Sequence, residues 1–195
     1  MTDWSAYYAK TGGRPPRATL LRALDAFDAE GRTGDRFAVD LGAGGGRDTV
    51  EMLRRGWRVL AIDASPDSAD ALRDLAVTGD LEVLVARFEE ADWPVCDLVN
   101  ASFALPLCPP DSFPALWSRI VARLRPGGRF AGQFYGDRDS WSGRNGMTFV
   151  TRTEAGAMLS DLDVEFFDEE EDDSTTPRGE PKHWHVFHIV ARKPD

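Results

Sequence analysis

The sequence predicts an α/β protein built on a doubly wound, nearly all-parallel sheet. Three observations point there. Short apolar runs of strand character alternate with amphipathic helical runs between Phe37 and Tyr135, the pattern that makes a parallel sheet with helices on its faces. The first strand, Phe37–Leu41, runs directly into a glycine turn, Gly42-Ala43-Gly44-Gly45-Gly46, followed by a helix. The last two strands have no helical run between them, which predicts an antiparallel hairpin at one edge of the sheet.

The elements follow in order. Trp4, Tyr7 and Tyr8 form a short aromatic stripe, broken by Thr11–Pro16. Leu20, Leu21, Leu24 and Phe27 fall at helical spacing and Gly31 ends the run. Residues 1–34 are thus a helical arm ahead of the core. The first strand is apolar and largely β-forming, and the helix after it runs from about Arg47 to Arg55, closed by Gly56. Arg58–Asp63 is the second strand. Ser65-Pro66-Asp67 then gives an N-cap, a first-turn proline and a first-turn acid. The helix they open buries Ala69, Leu72, Leu75 and Ala76. Leu81–Ala86 and Val95–Ala101 are the third and fourth strands. Asp111–Arg125 is the clearest helix, with Phe113, Leu116, Trp117, Ile120, Val121 and Leu124 as its stripe. Arg125-Pro126-Gly127-Gly128 stops it before the fifth strand, Arg129–Tyr135. A loop spans Gly136–Gly146, and Thr153 caps a short helix with Ala157, Met158 and Leu159. The final strands lie near Asp163–Phe167 and His183–Arg192. The acids between them, Asp168–Asp173 with Glu165 before, read as a solvated hairpin face or a mobile loop. No repeat or linker divides the chain, so residues 1–195 are expected to be one domain.

Composition narrows the function. The chain has 195 residues, 42% of them apolar and 29% charged, with a formal net charge of −10. That balance suits a soluble globular domain and repels a phosphate backbone, so no nucleic-acid partner is expected. Cys96 and Cys108 are the only cysteines. They lack metal-ligand spacing and read as buried thiols in a reducing compartment. The N-terminal MTDWSAYYAK is no signal peptide and no apolar run reaches membrane-spanning length, so a cytoplasmic protein without a membrane partner is expected.

The glycine turn carries the chemistry. Without a Cβ the backbone can turn sharply and approach a ligand closely, and the helix that follows points its N-terminal amides at anionic groups. The dinucleotide fingerprint requires a third glycine where Arg47 stands, and the P-loop Gly-Lys-Ser/Thr is absent. Asp63 ends the second strand about 20 residues after Gly42, where a nucleotide-binding α/β sheet places an acid for the ribose hydroxyls. Phe88 follows the third strand, where an adenine would lie and could be stacked.

With an acid two residues before the first glycine, Asp40–Gly46 resembles motif I of the class I S-adenosylmethionine-dependent methyltransferases. Leu124-Arg125-Pro126-Gly127-Gly128 resembles that superfamily's turn before strand five, and Asp97–Phe103 its fourth strand. In size and in its short arm the chain is similar to the tellurite-resistance and thiopurine-type members. The resemblance implies a Rossmann-like sheet of seven strands in the order 3-2-1-4-5-7-6 with the last strand antiparallel, and S-adenosylmethionine as cofactor. It implies cofactor contacts from Asp40, Gly42, Ala43, Gly44, Gly46, Asp63, Ala64, Phe88 and Asn100. The superfamily's usual acid after strand three is replaced by Arg87. Asn100-Ala101-Ser102-Phe103 keeps only the ends of the tetrad with which amino methyltransferases grip an amine.

Ligands of such sheets bind beyond the carboxyl ends of the parallel strands, and an antiparallel last strand begins at that rim. Lys182, His183, Trp184 and His185 are therefore expected at the mouth with Asn100–Phe103, Gln133 and Trp141. Tyr7, Phe103, Gln133, Trp141 and Trp184 are the candidate substrate contacts, since aromatic walls suit a sulfonium. His183 and His185 have the intrinsic pKa of a base, if one is needed; His188 faces the other way. His183 and His185 share one strand face, but no third metal ligand stands at fixed spacing, so no metal is expected. The tyrosines of the arm either pack on the domain edge or close a lid that brings Arg14 and Arg17 to a carboxylate. The expected function is methyl transfer to a small-molecule nucleophile. The alternatives are a non-catalytic cofactor-binding protein with an acidic interaction face and a nicotinamide-dependent oxidoreductase.

Overall fold

The computed structural model describes residues 14–31, 34–75 and 79–195. Its strands are β1 (Phe37–Leu41), β2 (Arg58–Asp63), β3 (Leu81–Val85), β4 (Cys96–Ala101), β5 (Leu124–Tyr135), β6 (Asp163–Thr175) and β7 (Pro181–Arg192). The helices are α1 (Ala18–Ala29), α2 (Arg47–Arg54), α3 (Pro66–Leu75), α4 (Phe113–Arg123) and α5 (Arg152–Met158). The strands form one sheet in the order β3-β2-β1-β4-β5-β7-β6. β1 to β5 pair in parallel, and β7 runs antiparallel to both its neighbours.

Every residue of β1 is buried, because helices cover both faces of the sheet. Val39 and Leu41 face one core with Ile62, Val99, Phe130, Phe134 and Phe187. Ala38 faces the other, with Leu20, Leu24 and Phe27 of α1 and Met52 of α2. The two-residue strand period puts Asp40 on that second face, beneath α2. Buried ties fix α1 to the sheet. Gln133 Nε2 donates to Thr19 Oγ1 at 2.9 Å, and the Arg129 guanidinium bridges Glu165 and Glu30. Among the described residues no helix is long and apolar enough to cross a membrane.

The structure corrects four boundaries. α4 stops at Arg123, because Pro126 disfavours helix at Arg125 and extended Leu124 already pairs with Cys96. The Pro-Gly-Gly segment therefore lies inside β5, past a register shift against β4. Thr151, not Thr153, caps α5. It shares a capping box with Glu154, whereas the residue three beyond Thr153 is Gly156, which has no carboxylate to return the bond. The acidic stretch is strand rather than loop, since β6 pairs with β7 from Asp163↔Arg192 to Thr175↔Pro181. Basic groups alongside offset the acids, as Asp173 faces His183 across the pair and Glu169 and Glu171 hold Arg138 of the loop after β5. Trp4, Tyr7, Tyr8 and Ala76 lie outside the described residues, as does the side chain of Leu75.

Candidate active site

The turn after β1 is pinned from three sides. The Gly42 and Ala43 amides donate to the Ile62 carbonyl of β2 at 2.8 and 3.2 Å. Gly42 adopts φ +68°, and a Cβ there would stand 2.6 Å from the Ala104 Cβ, so only glycine fits. Asp63 braces the rest. Its Oδ2 accepts the Gly44 N–H at 2.8 Å and its Oδ1 the Ser65 N–H at 2.9 Å. The Ser68 hydroxyl donates to the Gly44 carbonyl. Gly46, at φ +80°, is the N-cap of α2.

Two acids lie below the turn. Asp40 Oδ2 accepts from Thr49 Oγ1 at 2.6 Å, and its Oδ1 from Asn100 Nδ2 at 2.8 Å. The same Asn100 nitrogen reaches Asp48 Oδ2 at 3.2 Å. Asp48 Oδ1 accepts the Arg17 N–H at 2.9 Å. Burial, then the Asp48 charge facing it, push Asp40 up to about 7, against the lowering pull of Thr49 and Asn100. Two buried carboxylates with only neutral donors between them favour an arriving cation.

A cavity of about 710 Å³ opens over these groups at the carboxyl ends of β1, β2 and β4, a size typical of small-molecule sites. Asp63, Ala64 and Phe88 line one side. Asp40, Asp48 and Gly42–Gly45 form the middle, and Arg17, Phe103, Ala104 and Leu107 complete the lining. Of the expected cofactor contacts, Asp40, Gly42, Ala43, Gly44, Asp63, Ala64 and Phe88 meet here. Gly46 and Asn100 do not line the cavity; Gly46 caps the helix and Asn100 bridges the acid pair. Asp48 and Glu89 were missed from the sequence. Asp48 looks like an ordinary first-turn acid. Glu89 pairs with Arg87 and puts an acid two residues beyond the position where Arg87 had replaced one.

The rim differs from expectation, and strand parity is the reason. His183 and His185 share the face of Phe187 and Ile189, while Lys182, Trp184 and His188 share the other, toward Phe103. His185 is fully buried. Its Nδ1 accepts the Arg138 N–H at 3.1 Å and its Nε2 meets Glu169 Oε1 at 2.9 Å. Both nitrogens are spent, and a Cβ on Gly136 would collide with the ring. His183 is held between Asp173 and Glu171, and the Asp173 hydrogen bond raises its pKa. Neither histidine lines the cavity, so neither is placed as a base. Glu169, Glu171 and His185 approach one another as metal ligands would, but the Arg138 guanidinium sits on both acids.

Gln133 is buried too. Its Oε1 accepts the Phe103 N–H at 2.8 Å while its Nε2 holds Thr19, so it supports the wall rather than forming it. Trp141 and Trp184 stand one layer behind Phe103. With Tyr135 they surround the Lys182 ammonium, 4.2 Å from the Trp141 ring and 4.3 Å from Trp184. Lys182 pairs with buried Asp139, and burial lowers its pKa. Tyr7 lies outside the described residues.

Residues 38–128 match the protein family described as "Methyltransferase domain". Over 82 residues the chain is 41% identical to ribosomal RNA large subunit methyltransferase M of Pseudomonas syringae pv. syringae, covering 39% of this chain and 22% of that one. The chain thus matches less than a quarter of that relative's length. TehB from Haemophilus influenzae superposes with a TM-score of 0.73 at 17% identity, covering 87% of this chain and 61% of TehB. The Burkholderia thailandensis 1,6-didemethyltoxoflavin-N1-methyltransferase, solved with 1,6-didemethyltoxoflavin and S-adenosylhomocysteine, gives 0.63 at 24% identity over 91% of this chain and 79% of that one.

Proposed function

We propose that the chain is a class I S-adenosylmethionine-dependent methyltransferase and that it transfers a methyl group from S-adenosylmethionine to a small-molecule nucleophile. The observation that carries the reading is the glycine cradle at Gly42, closed to any Cβ, between a buried acid pair and Asp63. The residues fit the cofactor. Asp63 stands at the end of β2, where ribose hydroxyls would lie, Phe88 offers a ring for the base, and the amides at the start of α2 suit a carboxylate. The Asp40–Asp48 pair suits a cation. Bound there, S-adenosylmethionine supplies an activated methyl group on a sulfonium.

What the chain adds is alignment and exclusion of water. Phe103, Ala104 and Leu107 provide an apolar wall on the acceptor side. No histidine nitrogen is directed into the cavity, so the reading assigns no histidine base and favours a soft nucleophile or one already deprotonated. Arg17 and Arg47 hold residues 15–17 of the arm against the start of α2, the first through its backbone N–H to Asp48 and the second by donating to the Pro15 carbonyl. That supports the arm as one wall of a single domain.

A second reading, a ribosomal RNA acceptor, draws on the match to the large-subunit enzyme. The net charge of −10 and the acidic edge strand β6 oppose it. The nicotinamide reading is opposed by Arg47, which takes the third glycine's place and binds the arm. Thermal unfolding with S-adenosylhomocysteine and with NAD tests the class. A ligand that binds only the native state raises Tm, so S-adenosylhomocysteine should and NAD should not. A rise with NAD alone overturns the reading.

A further inference from the structure

Resting on the methyltransferase reading, we propose that Arg17, laid on the ring of Phe103, selects an acceptor that carries a carboxylate. The Arg17 guanidinium lies 4.2 Å from the centre of the Phe103 ring and lines the cavity. Among the described residues no carboxylate or carbonyl accepts from it. The other cavity arginines are engaged, Arg47 with the Pro15 carbonyl and Arg87 with Glu89. A half-buried guanidinium with its fork of donors open toward a cavity is a receptor for a planar anion, bound by two parallel hydrogen bonds.

The receptor is built rather than incidental. Phe103 has φ +56°, and it is the one non-glycine residue with positive φ among the described residues. Such strain persists where the surroundings over-determine it, and here Gln133 does so. Its carbonyl end accepts the Phe103 N–H, and its amide end holds Thr19, two residues along from Arg17. One glutamine, 1% exposed, thus sets both partners of the stack. The Asp48 carboxylate fixes Arg17 further by accepting its backbone N–H.

Position decides whose carboxylate is meant. Phe103 packs edge-on against Tyr135 of β5 and Trp184 of β7, across the cavity from Asp63 and Phe88. The cofactor's own carboxylate has the amides at the start of α2, next to the glycine turn. Behind Phe103 the buried Lys182 ammonium is already paired with Asp139, so the acceptor side presents an apolar wall with Arg17 on it.

Three matched probes test this on the full chain: benzoate, benzamide and benzylamine, titrated by calorimetry into the protein saturated with S-adenosylhomocysteine. Benzoate should bind at least about tenfold more tightly than either of the others, and Arg17→Met should erase that preference while the Kd for S-adenosylhomocysteine stays within about twofold. Arg17→Gln serves as the second variant if the methionine variant does not fold; cofactor-product binding reports folding in the same sample. Equal binding of the three probes, or none at up to about 20 mM, overturns the proposal. So does an Arg17→Met variant that loses S-adenosylhomocysteine affinity but keeps that for methylthioadenosine, which lacks the amino-acid tail; Arg17 would then belong to the cofactor. Failure of the native protein to bind S-adenosylhomocysteine at all overturns the methyltransferase reading itself, a result separable from the others.

Discussion

Asp40→Asn should change the sign of its effect on stability between about pH 3 and pH 8. The Asp40 carboxyl is 2% exposed, and burial together with the facing Asp48 raises its pKa from 3.8 to about 7. A carboxyl whose folded pKa is raised holds a proton in the native state that the unfolded chain has lost. Stability is then greatest below the unfolded value and falls as pH rises, by about 1.4 kcal/mol per pH unit, until the folded value is passed. From 3.8 to about 7 the loss is at most roughly 4 kcal/mol. Asparagine stays neutral throughout. Its carbonyl can accept from Asn100, and Thr49 can reverse its hydroxyl to accept the amide. At about pH 3, below the unfolded value, the variant should therefore match the native protein or fall below it by about 1 kcal/mol. At about pH 8 it should be the more stable of the two. Glu51, Glu169 and Glu171, held down to about 2 by arginine and histidine partners, act in a lower window, where their stabilisation is lost as pH falls. Subtracting the two proteins isolates Asp40 from His183. Urea unfolding at four pH values with no ligand present gives the comparison. A difference between variant and native protein that does not move with pH would refute the buried-acid account.

Asp63→Ala should weaken S-adenosylhomocysteine binding by roughly 1–3 kcal/mol in calorimetry; it should also lower Tm, since the Gly44 and Ser65 amides lose their acceptor. Unchanged affinity in a folded variant would remove Asp63 from the site. Gly42→Ala should cost more than Gly56→Ala in denaturant unfolding. Both have φ near +70 to +80°, but an added Cβ meets Ala104 at 2.6 Å in the first and nothing within 4 Å in the second. About 1–2 kcal/mol is expected for Gly56 and about 2–4 kcal/mol for Gly42. His185→Ala should lower stability by about 2–4 kcal/mol through a cavity beside Gly136 and the unpaired Arg138 amide, with S-adenosylhomocysteine affinity retained; lost affinity with intact stability would place the ring back at the cavity.

The order of the elements and the floor of the site are legible along the chain. Glycine spacing, the acid before the turn and the acid ending β2 are local signals, because a tight strand–helix turn constrains residues adjacent in the chain. The antiparallel edge was legible for the same reason, as no helix separates β6 from β7. Which face of β7 turns toward Phe103 was settled only by the packed sheet. A strand presents alternate residues to opposite sides, and the sequence does not say which set faces Phe103. The register with β5 chose Trp184 and His188 over His183 and His185. The Asp40–Asp48 pair was likewise hidden, since Asn100 bridges the two acids from 60 and 52 residues away. The length of β6 was hidden too: a run of acids reads as solvated chain until the arginines and histidines that neutralise it are brought alongside. Local conformational limits are written along the chain, whereas side-chain facing and long-range charge pairing exist only once the sheet has closed.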